Sequence, residues 1–309
     1  MTTALVTGID GALAGLVAGV LATRPHMRVI GVGRAAPECA LADVDVRVCD
    51  MRGDTLLALM RVVPVDVVAH LDIAGEEWPV SREAAGRGNV YRTIEVLGAC
   101  QAAGVPRVVL RSSLMVYGAR PDRPAFVAES APLSSGEPAG LLQDYVEIER
   151  VAADFGARHS SMRLTILRCA GIAGGQIGSP LARFLVRRPA PMIAGFDPRI
   201  QVVHAYDAAV AIALAVLNDR VDGPLNIAAD PPLLLSQAIH FAGGSVLPLP
   251  ALAFSAAPWF EPLSTLVGEL PFPVDYLRYA CVGDTRRAVR ELQWEMQHSP
   301  EETLRELAA

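Results

Sequence analysis

The stretch that most constrains the fold lies at the amino end. Ala4-Leu5-Val6 is a short apolar run, Thr7-Gly8-Ile9-Asp10-Gly11 is a turn carrying two glycines, and Ala12-Leu13-Ala14-Gly15 opens an apolar helical pattern that ends near Arg24-Pro25. In such a strand–turn–helix unit the helix N-terminus, with free N–H groups and the positive end of its dipole, faces whatever lies above the strand. That arrangement suits an anion such as a pyrophosphate. Gly8 and Gly11 permit the tight turn and the close backbone approach. Strand patterns follow over Met27 to Val32, Val44 to Cys49, Val65 to Leu71 and Arg107 to Ser113, with helical patterns over Gly53 to Val63 and Ala84 to Ala103 between them. Alternating β and α units of this length imply a parallel sheet with right-handed crossovers, whose ligands bind at the carboxyl ends of the strands.

The expected class is α/β: a doubly wound parallel sheet of the Rossmann kind with a smaller C-terminal substrate lobe. A dinucleotide-binding domain is expected over residues 1–170, with 201–229 returning to it, and the lobe over 171–200 and 230–309. The chain has 309 residues, 52% of them hydrophobic, ample for one large core. A net charge of −6 without a basic cluster argues against a nucleic-acid partner. Cys39, Cys49, Cys100, Cys169 and Cys281 are scattered, with no zinc spacing, so no metal site is expected and a reducing cytoplasm fits best. No charge-free apolar run reaches membrane-spanning length, and the strand-like start leaves no export leader. The stretch from Val246 to Pro273, with Pro248, Pro250, Phe254, Trp259, Phe260 and Leu266, is unusually apolar. It is expected to serve as core or a dimer seam, with an apolar substrate pocket or a membrane contact as the other readings.

Several residues carry candidate chemistry. The second strand ends in Gly33-Arg34, where an NAD site would place an acid for the ribose hydroxyls; the Arg34 guanidinium suits a 2′-phosphate instead, so NADP is expected over NAD. Asp10 either caps the helix or adds negative charge near the phosphates. Tyr145 and Glu149 stand at i and i+4 on the helical pattern Gly140 to Ala157 and so share a face. All 27 Lys+Arg residues are arginine, and the chain contains no lysine.

The chain resembles an extended (atypical) short-chain dehydrogenase/reductase of the NAD(P)-dependent epimerase/dehydratase family. The likeness runs in order through the Thr7-to-Ala14 turn, Asp50 after the third strand, Asn89-Val90, Ser112-Ser113-Leu114-Met115-Val116-Tyr117-Gly118, Tyr145, Leu167-Arg168, Val203-His204 with Asp207, Leu225-Asn226-Ile227 and Asp284-Thr285. The resemblance implies that Ser113 polarises the substrate oxygen and Tyr145 is the acid/base. It implies a cofactor shell of Thr7, Gly8, Ile9, Asp10, Gly11, Ala12, Leu13, Arg34, Asp50, Met51, Leu71, Asp72, Ile73, Tyr145, Glu149, Arg168, Ala170 and Gly171. It also suggests a homodimer through the two long helices. Three positions depart from the family pattern. Glu149 replaces the lysine that lowers the tyrosine pKa, Asp72 stands where small residues leave room for nicotinamide and substrate, and Gly171 replaces an asparagine that commonly helps bind nucleotide sugars.

A carboxylate at 149 can accept from ribose hydroxyls but disfavours phenolate at Tyr145. The expectation is an oxidoreductase or epimerase/dehydratase acting on a small hydroxyl or carbonyl substrate, an apolar one among the candidates, in which Glu149 or Asp72 has taken over proton transfer. A catalytically inactive dinucleotide-binding scaffold or sensor is the alternative, and non-redox isomerase or lyase chemistry a third reading. His70 is expected to be a packed strand-end histidine, and His204 with Asp207 a hydrogen-bonded pair.

Overall fold

The computed structural model describes residues 1–74, 82–134, 140–175 and 177–308. Seven parallel strands form the main sheet: Thr2–Thr7 (β1), Met27–Gly33 (β2), Val44–Val48 (β3), Val67–His70 (β4), Arg107–Ser113 (β5), Arg163–Cys169 (β6) and, much later, Gly223–Ile227. Helices Ala12–Ala22 (α1), Gly53–Val62 (α2), Arg82–Ala103 (α3) and Leu141–Arg158 (α4) make the crossovers. A second set of strands is shorter: Gly171–Gly174 (β7), Ile177–Gly178 (β8), Ala190–Ile193 (β9), Arg199–Ile200 (β10) and Val202–His204 (β11). Gly223–Ile227 is then β12, followed by Leu233–Leu234 (β13) and Val246–Leu249 (β14). The order across the main sheet is β12-β6-β5-β4-β1-β2-β3, so the direction of winding reverses between β1 and β4. This is the doubly wound parallel sheet expected from the sequence.

One face carries α2, α3 and α4 over a core of Leu5, Ile30, Leu56, Leu97, Val108 and Leu110. The other carries α1 and Ala205–Leu217 (α6), two helices rich in alanine whose small side chains allow close approach of the axes. Two details differ from the sequence expectation. Val202–His204 does not rejoin the main sheet: the chain leaves that sheet at Ala170, whose N–H donates to Ile227 O at 2.8 Å, and β11 pairs in parallel with β7. Only α6 and β12 return. Conversely, Ala288, Leu292 and Trp294, assigned by sequence to the lobe, pack into the core beneath α6, where the Trp294 indole donates to Asp207 O at 3.0 Å.

The lobe is built from short pieces around Phe184, Leu185, Met192, Ile239, Phe272, Leu277 and Leu304. They belong to Pro180–Leu185 (α5), Leu235–Phe241 (α7), Ala251–Ala256 (α8), Glu261–Val267 (α9) and Pro300–Glu306 (α11), with the strands β9 and β14, whereas Arg286–Leu292 (α10) lies against β12 and α6. The apolar segment divides in two. Phe272 packs inside against Phe184, whereas Leu252, Trp259 and Phe260 are exposed. Among the described residues no helix is long and apolar enough to cross a membrane.

Candidate active site

The carboxyl ends of β1 and β4 meet at the glycine turn. Gly8 has φ +73°, and a Cβ there would lie 2.9 Å from Asp72 Cα, so glycine is what lets the two strand ends touch. Thr7 Oγ1 bonds His70 Nδ1 at 2.8 Å and accepts from Leu71 N at 3.2 Å, while His70 Nε2 bonds Thr93 Oγ1 at 3.1 Å. Burial pushes His70 down to about 4, against the pull of Asp72, so it is a neutral packed residue. Ile9 and Leu13 are core residues; Ala12 is exposed at the start of α1. The Gly11 N-cap offers no side-chain cap and the first turn of α1 holds no acid. That open N-terminus behind a glycine turn fits a pyrophosphate. Asp10 turns away from it, towards Gly33, where any side chain would collide with its carboxylate.

Past the end of β2, Arg34 donates from Nη2 to Asp72 Oδ2 at 2.8 Å and from Nη1 to Oδ1 at 3.2 Å, and Arg92 Nε lies 3.3 Å from Oδ2. Burial alone would raise the Asp72 carboxyl; the Arg34 hydrogen bonds and the charges of Arg92 and Arg34 outweigh it and hold the group below the usual range. A carboxyl group that moves protons near neutral pH has to be raised instead, so the structure does not favour Asp72 as the proton-transfer group, and Arg34 faces a carboxylate. Asp50 is exposed and accepts from Arg52 N at 3.2 Å; Met51 beside it is buried at φ +59°. Leu71 and Ile73 are buried, and Ala74 is held at both its N–H and C=O by the Asn89 side chain.

The other half of the site lies on α4, β5 and β6. Tyr145 and Glu149 share a face of α4, and each is only 3% exposed. Glu149 accepts from Arg168 Nη2 at 2.6 Å and Nε at 3.0 Å, and from Ser112 Oγ at 2.5 Å. Arg168 Nη1 continues to Tyr117 Oη at 2.7 Å, and that hydroxyl donates to Asn226 Oδ1 at 2.7 Å. Glu149 is therefore the anion of a buried pair, with both oxygens engaged inside the protein. Burial raises Tyr145 to about 12; the Arg111 charge opposes this, while Cys169 and Asp144 add to it. Ser113 accepts from Met115 N at 3.2 Å.

Ser113, Tyr145, Cys169, Ala170 and Gly171 line one open cavity, walled mainly by Leu114, Met115, Leu142, Ile172, Leu181 and Phe272. At Gly171 a Cβ would lie 2.7 Å from Leu181 Cδ2, so Leu181 occupies the room of a longer side chain. The sequence did not single out Arg111, a buried cation on that wall whose only signal was its place beside the strand-end serines. Nor did it single out Asp144, which accepts from Asn89 Nδ2 at 2.8 Å and is raised to about 6 by burial, against that hydrogen bond and the Arg92 charge. His204 and Asp207, expected to bond each other, take different partners: His204 Nε2 meets Glu306 at 3.1 Å, and Asp207 Oδ2 accepts from His298 N at 2.9 Å.

The sequence model of the NAD dependent epimerase/dehydratase family matches residues 4–228. An uncharacterized protein of Mycobacterium tuberculosis is 32% identical over 298 residues, which is 94% of this chain and 79% of that protein. A UDP-glucose 4-epimerase of Azospirillum brasilense is 30% identical over 189 residues, 53% of each chain. The structure of UDP-glucose 4-epimerase from Bifidobacterium longum, in complex with NAD+ and UDP, superposes with a TM-score of 0.76 at 17% identity, covering 99% of this chain and 97% of that one.

Proposed function

We propose that this chain, which belongs to the NAD dependent epimerase/dehydratase family, is an NAD(P)H-dependent oxidoreductase that works in the carbonyl-reducing direction on a small, largely apolar compound. The observation that carries the reading is the state of Tyr145. With Glu149 committed to Arg168 and no lysine in the chain, burial holds the phenol protonated, at about 12, on the wall of an apolar cavity shared with Ser113. A protonated phenol donates a hydrogen bond to a carbonyl oxygen and gives up its proton to the more basic alkoxide as that forms. The reverse task, taking a proton from an alcohol, needs phenolate, which at pH 7 is roughly 10⁻⁵ of such a group. Oxidation-first chemistry on a sugar hydroxyl is thereby disfavoured.

The open N-terminus of α1 would hold the cofactor's pyrophosphate, with Arg34 and Asp50-Met51 at the adenosine end and Tyr145, Ala170 and Gly171 at the other. When bound, the cofactor supplies hydride. Arg34, in place of an acid at the end of β2, favours NADP(H) over NAD(H). Ser113 and Tyr145 hold the substrate oxygen, and the apolar wall excludes water. Leu181 in the room beside Gly171 weighs against a nucleotide sugar. We also read the protein as a cytoplasmic homodimer, from its five free cysteines and from the exposed Tyr91 and Ile94 on α3.

The test is consumption of NADPH or NADH with a panel of apolar aldehydes and ketones. Tyr145→Phe is expected to lower kcat about 10²–10⁴-fold with little change in dinucleotide affinity. Dinucleotide binding without turnover across the panel would instead favour a scaffold or sensor, a reading that the near-complete burial of Tyr145 supports.

A further inference from the structure

Two strand ends that flank the glycine turn are joined above it. β1 lies between β2 and β4 in the sheet, so Arg34, just past β2, and Asp72, just past β4, stand on opposite sides of the carboxyl end of β1. Neighbouring strands are about 4.8 Å apart, so a bond between the two must span about 10 Å. The Arg34 side chain makes that span with both terminal nitrogens on the Asp72 carboxylate, at 2.8 and 3.2 Å. The strand order reverses between β1 and β4, and in open α/β sheets that is the crevice where ligands bind. Below the bridge lie the Gly8 turn and the uncapped start of α1, the surface on which a pyrophosphate would rest.

The two halves of the bridge differ. The Asp72 side chain is 9% exposed and is braced from α3 by Arg92 at 3.3 Å, whereas the Arg34 side chain is 42% exposed. A pair that is open to water on one side contributes little to stability. Arg34 can swing away while Arg92 stays on the carboxylate, so no buried charge is stranded when the bridge opens.

We propose that the Arg34–Asp72 bridge is a latch across the dinucleotide crevice, and that a 2′-phosphate holds it open by taking Arg34 from Asp72. Asp72 is then the residue that sets the threshold for cofactor binding, and Arg34 the one that sets its selectivity. The inference rests on the reading that this crevice takes NAD(P). Opening the latch costs the same for either cofactor; only a 2′-phosphate gives Arg34 a new partner.

The experiment is calorimetric titration of the parent, Asp72→Asn and Arg34→Gln with NADPH and NADH, with thermal melts to show that each variant is folded. If the unlatched form is about a tenth of the population, Asp72→Asn should tighten both cofactors by a common factor of about ten and leave their ratio unchanged. Arg34→Gln should tighten NADH by a similar factor and abolish the preference for NADPH. The latch is overturned if both variants bind no tighter than the parent, or if Arg34→Gln keeps the preference. Tightening without carbonyl reduction leaves the latch standing and overturns the reductase alone. Failure of all three proteins to bind either dinucleotide overturns both.

Discussion

Replacing Glu149 by glutamine would leave the Arg168 guanidinium buried without its counter-charge. Removing one partner of a buried pair costs about 3–5 kcal/mol, so Glu149→Gln is expected to lower the urea midpoint strongly while leaving the slope unchanged. Glu149→Lys, which would recreate the family's Tyr-x-x-x-Lys, places a second cation against Arg168 and should be less stable still, with no gain in turnover. Asp144 offers a pH-dependent test. A carboxyl group raised on folding contributes stability that is fully present below its unfolded value, near 4, and is lost as pH rises through the folded value of about 6. Asp144→Asn keeps an acceptor for Asn89 and removes that loss. It should raise stability by roughly 1–3 kcal/mol above pH 7 and change it little near pH 4, as read from melting temperatures across pH. His70, depressed to about 4, has the opposite sign: its contribution is present above the unfolded value and is lost as pH falls through about 4. In the parent the two slopes oppose each other, so Asp144→Asn should also steepen the loss of stability in acid.

At the level of elements, the join of β1 to β4 depends on Gly8. Gly8→Ala must carry a Cβ at positive φ against the Asp72 backbone, and should cost about 1–3 kcal/mol in thermal or urea unfolding. Gly171→Asn is expected to destabilise because of Leu181, and Gly171→Asn with Leu181→Ala to recover part of that loss. The elements themselves were legible in the sequence. β5 reads as a continuous apolar run into polar residues, and the Gly8 turn marks the passage from β1 to α1, because both depend on neighbours a few residues apart. The pairing of β11 was not legible. Val202–His204 has the composition of a main-sheet strand, and only the exit of the chain at Ala170 gives it β7 as a partner. The partners of charged side chains were hidden for a similar reason: Glu149 and Arg168 sit on different elements, and Arg34 reaches Asp72 over an intervening strand. Spacing on one helix showed that Tyr145 and Glu149 share a face but not what stands opposite that face.

For the whole molecule, the proposed dimer places α3 and α4 at a two-fold seam. The double variant Tyr91→Glu with Ile94→Glu should sediment as a monomer where the parent sediments as a dimer, with its melting temperature falling as the interface is lost; a parent that is already monomeric would sink that assignment. Exposed Trp259, Phe260 and Leu252 lie on the lobe, and α3 packs on the opposite sheet face from α1 and α6. The Glu149–Arg168 pair has a further consequence, for the order in which substitutions can accumulate. A single step back to lysine at 149 passes through a protein with two buried cations side by side, and a single step away from Arg168 leaves a buried anion. At Gly171 an added side chain meets Leu181, so asparagine there requires Leu181 to shift or shrink. At both positions the present residue is matched by a neighbour, Arg168 or Leu181, so placing the family residue there alone is expected to cost stability and a compensated pair of changes to cost less.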